Sequence, residues 1–287
     1  MEIVVRRMYC ALLLGVALPV QAITFQTRME EVEWTVEGDQ FECRMAQPVS
    51  GYGQAVFVRR AGERPVFQLE ATSNLMQPGQ AQLFNDPPPW RHNLRASVLG
   101  AALVENGPVT LRASQQQAGQ MLAGLASGMH PTIQRAAWAS AVESVRVVVS
   151  SVGYQQAWTE FQTCAGGLLP LNFDQVSRSV VSFASGGSRL TDEAKALLDT
   201  ALVYIKADED IGVIQLDGHS DNLGDRLTNR ELSRQRALAV RDYLMEQGVE
   251  EDLFTMRFHG ESYPVATNAS NSGRQQNRRV TLRLEKN

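Results

Sequence analysis

Apolar residues recur at helical spacing shortly after residue 190 of this 287-residue chain. The recurring positions are Ala194, Leu197, Leu198, Ala201, Leu202 and Ile205. Such a stripe occupies one face of a helix and buries against a neighbouring layer. Thr191 precedes the stripe, where its hydroxyl can cap the helix, and two acidic residues follow in the first turn, where the helix dipole favours negative charge. The pattern predicts a helix that begins after Thr191.

Strand and helix patterns alternate through the rest of the C-terminal half. The strand candidates are residues 213–217, 254–258 and 280–284. A second helix is predicted at about residues 230–247, with Gly248 as its stop. Because helices and strands alternate, an α/β sandwich is predicted for residues 171–287.

The N-terminal half has short runs of strand-forming residues and fewer helical ones. Its strand candidates are residues 54–59, 65–71, 93–103, 109–113 and 144–150. Ala, Gln, Leu and Met favour helices at residues 115–128 and 132–140. Glycine and proline between residues 166 and 170 mark a boundary, so the interpretation is a two-domain α+β chain. A mostly β domain with one or two helices is expected at residues 23–170.

The first 22 residues have the pattern of a secretory signal peptide. Arg6 and Arg7 precede an apolar run at residues 11–20, and a small-residue cleavage site ends at Ala22. The apolar run is shorter than the roughly 20 residues that a membrane-spanning helix needs. We therefore expect export to the periplasm with cleavage after Ala22, and a retained N-terminal anchor is the weaker alternative.

Charge and cysteine content narrow the classes of partner and site. With a formal net charge of −4 at pH 7, the chain lacks the excess of basic residues that nucleic-acid binding requires. Cys43 and Cys164 remain after cleavage, and an even number of cysteines in an exported chain favours a disulfide. Two free buried cysteines are the alternative. His92 and His130 are isolated, and His219 and His259 lack a third ligand at metal spacing, so no metal, cofactor or catalytic residue is expected.

Opposite charges flank the polar turn that follows the strand at 213–217. Asp221 lies in the turn and Arg236 lies near the start of the second helix, fifteen positions later. A carboxylate and a guanidinium in one pocket would suit a ligand that carries both signs of charge. They share a pocket only if the fold brings the chain back, and the alternative is a surface ion pair worth about 0–1 kcal/mol.

Four ordered sequence blocks resemble the OmpA-like peptidoglycan-binding domain. They are G-H-S-D-x-x-G at 218–224, N-x-x-L-S-x-x-R-A at 229–237, G-x-x-x-P at 260–264, and N-x-x-x-x-G-R-x-x-N-R-R-V at 268–280. Ser220 stands where the family usually has threonine. Residues 185–188 replace the family's usual Asp-Ser pair, which leaves a ligand contact from that loop open.

The resemblance implies a ligand and a set of contacts. In this family the pocket takes the diaminopimelate of the peptidoglycan stem peptide, which has an ammonium and a carboxylate on one carbon. Asp221 would accept from the ammonium, and Arg236 would hold the carboxylate in a bidentate contact. Asn229 would add an amide hydrogen bond, with Ser220 and Arg279 as further contributors. One of the two adjacent arginines, Arg278 and Arg279, would reach the groove while the other braces the terminal strand.

Residues of the N-terminal half resemble the MotY family, periplasmic components of polar flagellar motors. The matching segments are E-W at 33–34, F-E-C-R-M at 41–45, Q-P at 47–48, G-Y-G at 51–53, A-V-F at 55–57, R-A-G-E at 60–63, and Cys164 followed by L-L-P at 168–170. The resemblance implies a disulfide between Cys43 and Cys164. It also implies assembly of the N-terminal domain into the T ring of the flagellar basal body, with a MotX-like ring protein.

These resemblances together predict a non-enzymatic adaptor without a cofactor. Its C-terminal domain would anchor the ring to peptidoglycan so that stator units can assemble. One alternative is a generic OmpA-like envelope protein that anchors an unrelated partner to the wall. A wall hydrolase is the other, and it would require a nucleophile, a carboxylate pair or a zinc cluster in residues 23–170, which the sequence does not suggest.

Overall fold

The structure is a computed structural model that describes residues 22–139 and 143–287. The signal peptide predicted at residues 1–22 lies outside the described residues apart from Ala22, with which the first strand begins. In the described part of the chain, no helix has both the length and the apolar composition needed to cross a membrane.

Strands make up much of the described chain. They are β1 (Ala22–Phe25), β2 (Thr35–Gly38), β3 (Glu42–Val49), β4 (Gly53–Arg60), β5 (Val66–Ala71), β6 (Gly79–Asp86), β7 (Ser97–Val104), β8 (Val109–Ala113), β9 (His130–Ala136), β10 (Ser144–Val148), β11 (Arg178–Ser182), β12 (Ile211–Gly218), β13 (Phe254–Phe258) and β14 (Arg279–Lys286). The helices are α1 (Gln115–Ala126), α2 (Tyr154–Gly166), α3 (Phe173–Val176), α4 (Asp192–Ala207), α5 (Arg226–Glu246) and α6 (Asn271–Asn277). Mixed α and β structure is thereby confirmed.

The chain forms two compact units, and each is made of three separate segments of the chain. The first unit comprises the described residues of 1–34, 46–56 and 66–154. The second comprises residues 35–45, 57–65 and 155–287. The boundary predicted near residue 170 is a simpler division than this one.

The first unit is built around seven neighbouring strands in the order β1-β10-β9-β6-β7-β8-β5. β1 pairs with β10 in parallel, and the described pairings among the other strands are antiparallel. Helix α1 begins with a capping box in which Ser114 and Gln117 exchange hydrogen bonds. The helix buries Met121 and Leu125, and the strands bury Leu69 and Leu83. The mostly β character predicted for the N-terminal half is confirmed.

The prediction of a helix at residues 132–140 is wrong for residues 132–136. These residues belong to β9, which pairs with β6 on one side and β10 on the other. Thr132 and Ile133 are fully buried, and their branched side chains suit a pleated sheet. Pairing on both edges outweighs the helical preference of the alanine and glutamine residues nearby.

The second unit contains a four-stranded sheet in the order β11-β14-β12-β13. β12 and β13 are parallel, while β14 is antiparallel to both β11 and β12. Alternate residues of β14 face opposite sides of the sheet. Val280, Leu282 and Leu284 are buried in an apolar core, to which α4 contributes Leu198 and α5 contributes Val240. Helices α4 and α5 thus belong to the same core as this face of the sheet.

The two long helices begin and end at sequence signals. The Thr191 hydroxyl accepts a hydrogen bond from the amide of Ala194, which confirms the predicted cap of α4. Helix α5 begins at Arg226, earlier than predicted, because the Asp225 carboxylate caps its first turn. Gly248 follows the end of α5 with φ of +92°, a conformation that glycine adopts without strain.

A disulfide joins Cys43 of β3 to Cys164 of α2 within the second unit, as predicted. The two Cα atoms are 6.1 Å apart, and the residues are separated by 121 positions in the sequence. Gly38 lies against it, since a Cβ atom at that position would be 2.8 Å from the Cys164 sulfur. The bridge therefore ties the segment 35–45 to the long C-terminal segment of the same unit.

Candidate functional site

The loop after β12 carries the first predicted site residues. A Cβ atom on Gly218 would lie 2.2 Å from the carbonyl oxygen of Ser233, so glycine is needed for α5 to pack this closely against the strand. The Ser220 amide donates to the Gly260 carbonyl at 2.7 Å, and its hydroxyl donates to the Asp221 carbonyl at 2.9 Å. Ser220 and Asp221 are both buried. Ser220 therefore braces the loop that holds Asp221.

Asp221 forms an ion pair with Arg278. Nη1 of Arg278 donates to Oδ2 of Asp221 at 2.9 Å, and the two side chains are 13% and 6% exposed. The same guanidinium donates through Nε to the Phe183 carbonyl at 3.2 Å. Oδ1 of Asp221 accepts from the Leu223 amide at 3.3 Å. This charge-assisted pair keeps both side chains in fixed positions with a small solvent-facing surface.

Arg236 is fully buried and interacts electrostatically with both members of this pair. Its Nε donates to the Gly187 carbonyl at 2.8 Å, Nη1 to the His219 carbonyl at 3.0 Å, and Nη2 to the Ala184 carbonyl at 3.1 Å. The guanidinium also lies 5.4 Å above the centre of the Phe183 ring. Arg236 thus connects the loop after β11 to the loop after β12, using three of the five N–H groups that a guanidinium has.

Electrostatics couple the three charged residues. Burial lowers the pKa of Arg236 to about 10, the charge of Asp221 opposes this shift, and the charge of Arg278 adds to it. Arg236 therefore remains protonated at neutral pH. Two guanidinium groups and one carboxylate leave the cluster with one excess positive charge. We call Asp221, Arg236 and Arg278 the charged cluster.

Asn229 lies in the first turn of α5 and is buried. Its amide nitrogen Nδ2 donates to Oε2 of Glu261 at 2.9 Å. Gly260 packs closely beside it, because a Cβ atom there would lie 3.2 Å from the Arg230 amide nitrogen. Asn229 thus connects the start of α5 to the segment after β13.

Arg279 lies apart from the charged cluster. Its Nη2 donates to the Tyr263 carbonyl at 3.2 Å, and its side chain lines a cavity together with Asp217 and His219. Arg278 is the residue between α6 and β14, Arg279 is the first residue of β14, and the two side chains contact different groups. The structure therefore brings Ser220, Asp221 and Arg236 together and adds Arg278, while Arg279 faces elsewhere.

Two features of this site are missing from the predicted residue set. Arg278 is the arginine paired with Asp221; it lies between α6 and β14, and no local sequence signal separates it from Arg279. The loop at residues 185–188 contributes the Gly187 carbonyl to Arg236. That contact is made by the main chain, so side-chain identity at this position is a poor guide to it.

Comparisons with known proteins assign the two halves of the chain to different families. Residues 25–170, half of the chain, match the family described as the MotY N-terminal domain. The chain belongs to the MotY N-terminal domain family. Residues 182–278 match the OmpA family, and this range contains all three residues of the charged cluster.

Individual relatives show how far each likeness extends. The sodium-type flagellar protein MotY of Vibrio parahaemolyticus is 27% identical over 261 residues, covering 89% of this chain and 88% of that protein. The peptidoglycan-binding protein ArfA of Mycobacterium tuberculosis is 35% identical over 107 residues, covering 37% of this chain and 32% of ArfA. The crystal structure of the peptidoglycan-associated lipoprotein from Burkholderia pseudomallei is 29% identical, with a TM-score of 0.36, and the match covers 37% of this chain and 89% of that one.

Proposed function

We propose that this chain is a non-enzymatic periplasmic adaptor of the flagellar motor that binds peptidoglycan through its OmpA-like residues. Its N-terminal residues join the T ring of the basal body with a MotX-like partner, and the wall contact fixes the ring so that stator units assemble. Membership of the MotY N-terminal domain family and the likeness to the Vibrio protein along most of both chains support the motor role. The likeness to ArfA supports the wall contact.

The observation that carries the wall-binding proposal is the Asp221–Arg278 pair, which interacts electrostatically with the buried Arg236. A ligand carbon that bears an ammonium and a carboxylate inserts between the two side chains. The ammonium pairs with Asp221 and the carboxylate pairs with Arg278, so two ion pairs replace one. The excess positive charge of the cluster also attracts the ligand carboxylate. These features fit the diaminopimelate of the stem peptide.

Arg236 has a double role in this proposal. Its three bonds to main-chain carbonyls hold the two loops that carry the site. Its remaining two N–H groups are the ones that a ligand carboxylate can use. Asn229 and Ser220 position the start of α5 and the Asp221 loop, and neither requires direct ligand contact.

Co-sedimentation with purified sacculi tests the wall contact. Asp221→Asn and Arg278→Gln should each weaken binding at least about tenfold, because truncating one partner of a hydrogen-bonded charge contact costs about 2–5 kcal/mol. Arg279→Gln is the matched control, since it removes the same charge from the adjacent residue, which bonds to the Tyr263 carbonyl and not to Asp221. Circular dichroism must show that each variant is folded. Undiminished sedimentation of folded Asp221→Asn and Arg278→Gln variants would refute the assignment.

Affinity purification tests the motor role. Protein tagged at its C-terminus and expressed in its native cell should recover flagellar basal-body proteins, and a deletion strain should lose motility. Recovery of unrelated envelope proteins by the tagged protein, together with normal swimming of the deletion strain, would instead favour a general wall anchor. A labelled-sacculus assay should show no release of wall fragments, as expected for a protein without hydrolase activity.

A further inference from the structure

The second sheet has a strongly basic face on the side opposite its apolar core. Arg279 and Arg283 of β14 alternate with the buried valine and leucine residues of that strand. Register places Arg178 of β11 opposite Arg283, and Arg257 of β13 opposite Asp217 of β12. Residues directly opposite each other in a sheet share a face. We call Arg178, Asp217, Arg257, Arg279 and Arg283 the arginine face.

A cavity of about 400 Å³ lies on the arginine face. His219 and His259 line it with their rings stacked at a centroid distance of 4.8 Å. Tyr263 also lines the cavity; its carbonyl accepts from Arg279, and its ring is perpendicular to that of His259 at a centroid distance of 5.4 Å. Tyr263 has a φ of +57°, a left-handed conformation that costs about 1–3 kcal/mol for a residue other than glycine. The strained backbone thus forms part of the cavity wall.

Two buried guanidinium nitrogens of the arginine face have unused hydrogen-bonding capacity. Nη1 of Arg279 and Nε of Arg283 have no hydrogen-bond acceptor among the residues that the structure describes. Arg279 is only 6% exposed. A buried N–H without an acceptor costs about 1–3 kcal/mol. Both side chains line the cavity, so an acceptor bound there would lie close to these nitrogens.

The charge of the cavity favours an anion. The carboxylate of Asp217 is already shared by Arg283 and by Nε2 of His259, which lies 2.9 Å from it. The charged side chains in the lining are four arginines and one aspartate, an excess of three positive charges. Burial lowers the pKa of Arg279, and the neighbouring charge of Arg178 lowers it further. An anion between these guanidinium groups would relieve their repulsion.

We propose that this cavity is a binding site for a phosphate group. Guanidinium groups bind phosphate in a bidentate geometry, and a phosphate carries more charge than a carboxylate, which suits an excess of three positive charges. Arg279 and Arg283 line the cavity from β14, and the exposed Arg178 and Arg257 add positive charge from β11 and β13. The site is separate from the charged cluster, because none of the three residues of that cluster lines the cavity. Its ligand is either a soluble phosphate compound or the phosphate of a lipid head group.

Calorimetric titration of the mature chain with inorganic phosphate, in chloride buffer at constant ionic strength, tests this site. Wild-type protein should bind phosphate saturably. Arg178→Gln and Arg257→Gln alter exposed residues, so both should fold, and each should weaken binding about tenfold, the equivalent of losing about 1.4 kcal/mol. Arg234→Gln removes an exposed arginine of α5 outside the cavity and should leave phosphate binding unchanged.

Flotation with phosphatidylglycerol vesicles and phosphatidylcholine vesicles separates the two sources of phosphate. Retention on the anionic vesicles that depends on Arg178 and Arg257 assigns the site to a lipid head group. Phosphate binding without such retention assigns it to a soluble compound. Absence of saturable phosphate binding to the wild type, or an equal loss in Arg234→Gln, overturns the proposal. Sacculus binding should be unchanged in Arg178→Gln, so failure here is distinguishable from failure of the wall-binding site.

Discussion

Replacing Arg236 with alanine should destabilise the second unit, whatever its effect on ligand binding. The substitution leaves the carbonyls of Ala184, Gly187 and His219 without their donor. A buried group left unsatisfied costs about 1–3 kcal/mol. Two of these bonds are only partly buried, so water will satisfy some of the lost contacts. We expect the free energy of unfolding to fall by about 3–5 kcal/mol, which is three such losses less the part that water recovers.

Thermal and urea unfolding followed by circular dichroism measures this change. A loss of this size corresponds to a fall in Tm on the order of 10 °C for a domain of this class. Arg234→Ala, on the same helix, is the matched control because its ion pair with Glu231 is exposed, and such pairs contribute about 0–1 kcal/mol. If Arg236→Ala lost less than about 1 kcal/mol of stability while losing sacculus binding, Arg236 would bind ligand without holding the two loops together.

Three further predictions concern the same unit. Replacing Cys43 and Cys164 together with alanine should lower the free energy of unfolding by about 2–5 kcal/mol in non-reducing urea titrations, because it opens a long loop; no measurable change would contradict this. Burial lowers the pKa of His219 from 6.5 to about 4, so the unfolded chain takes up a proton before the folded one, and stability should fall as pH drops through that window. His219→Asn should flatten this part of the pH profile of stability, and an unaltered slope would show that His219 does not cause the pH dependence. Gly218→Ala should lower Tm by several degrees, since its methyl group meets the Ser233 carbonyl, and an unchanged Tm would show that α5 can move away.

Local signals predict the elements that bear the candidate site. The apolar stripe of α4, the stop at Gly248 and the alternation along β14 each depend on neighbouring residues, and each is present in the structure. β9 is different, since its conformation depends on pairing with β6 and β10, and β6 is distant in sequence. Helix α2 lies where no helix is predicted, and its cysteine is bonded to a strand 121 positions earlier.

The same distinction applies to the site residues. The order of the sequence motifs is sufficient to select Asp221 and Arg236. The bonds of Arg236 to three main-chain carbonyls depend on how two loops meet. Every residue has a main-chain carbonyl, so the sequence does not indicate which ones accept these bonds. The assignment of Arg278 to Asp221 depends on how the chain passes from α6 into β14, which the sequence pattern does not indicate.

Binding of two stem peptides that differ at a single side chain tests the central claim most directly. One peptide carries diaminopimelate at its third position, and the other carries lysine, which has the distal ammonium but lacks the distal carboxylate. If Asp221 takes the ammonium and Arg278 takes the carboxylate, calorimetry should show that the lysine peptide binds the mature chain at least about tenfold more weakly. Arg278→Gln should abolish that difference. Equal affinity of the wild type for both peptides would contradict the proposed recognition of a zwitterion.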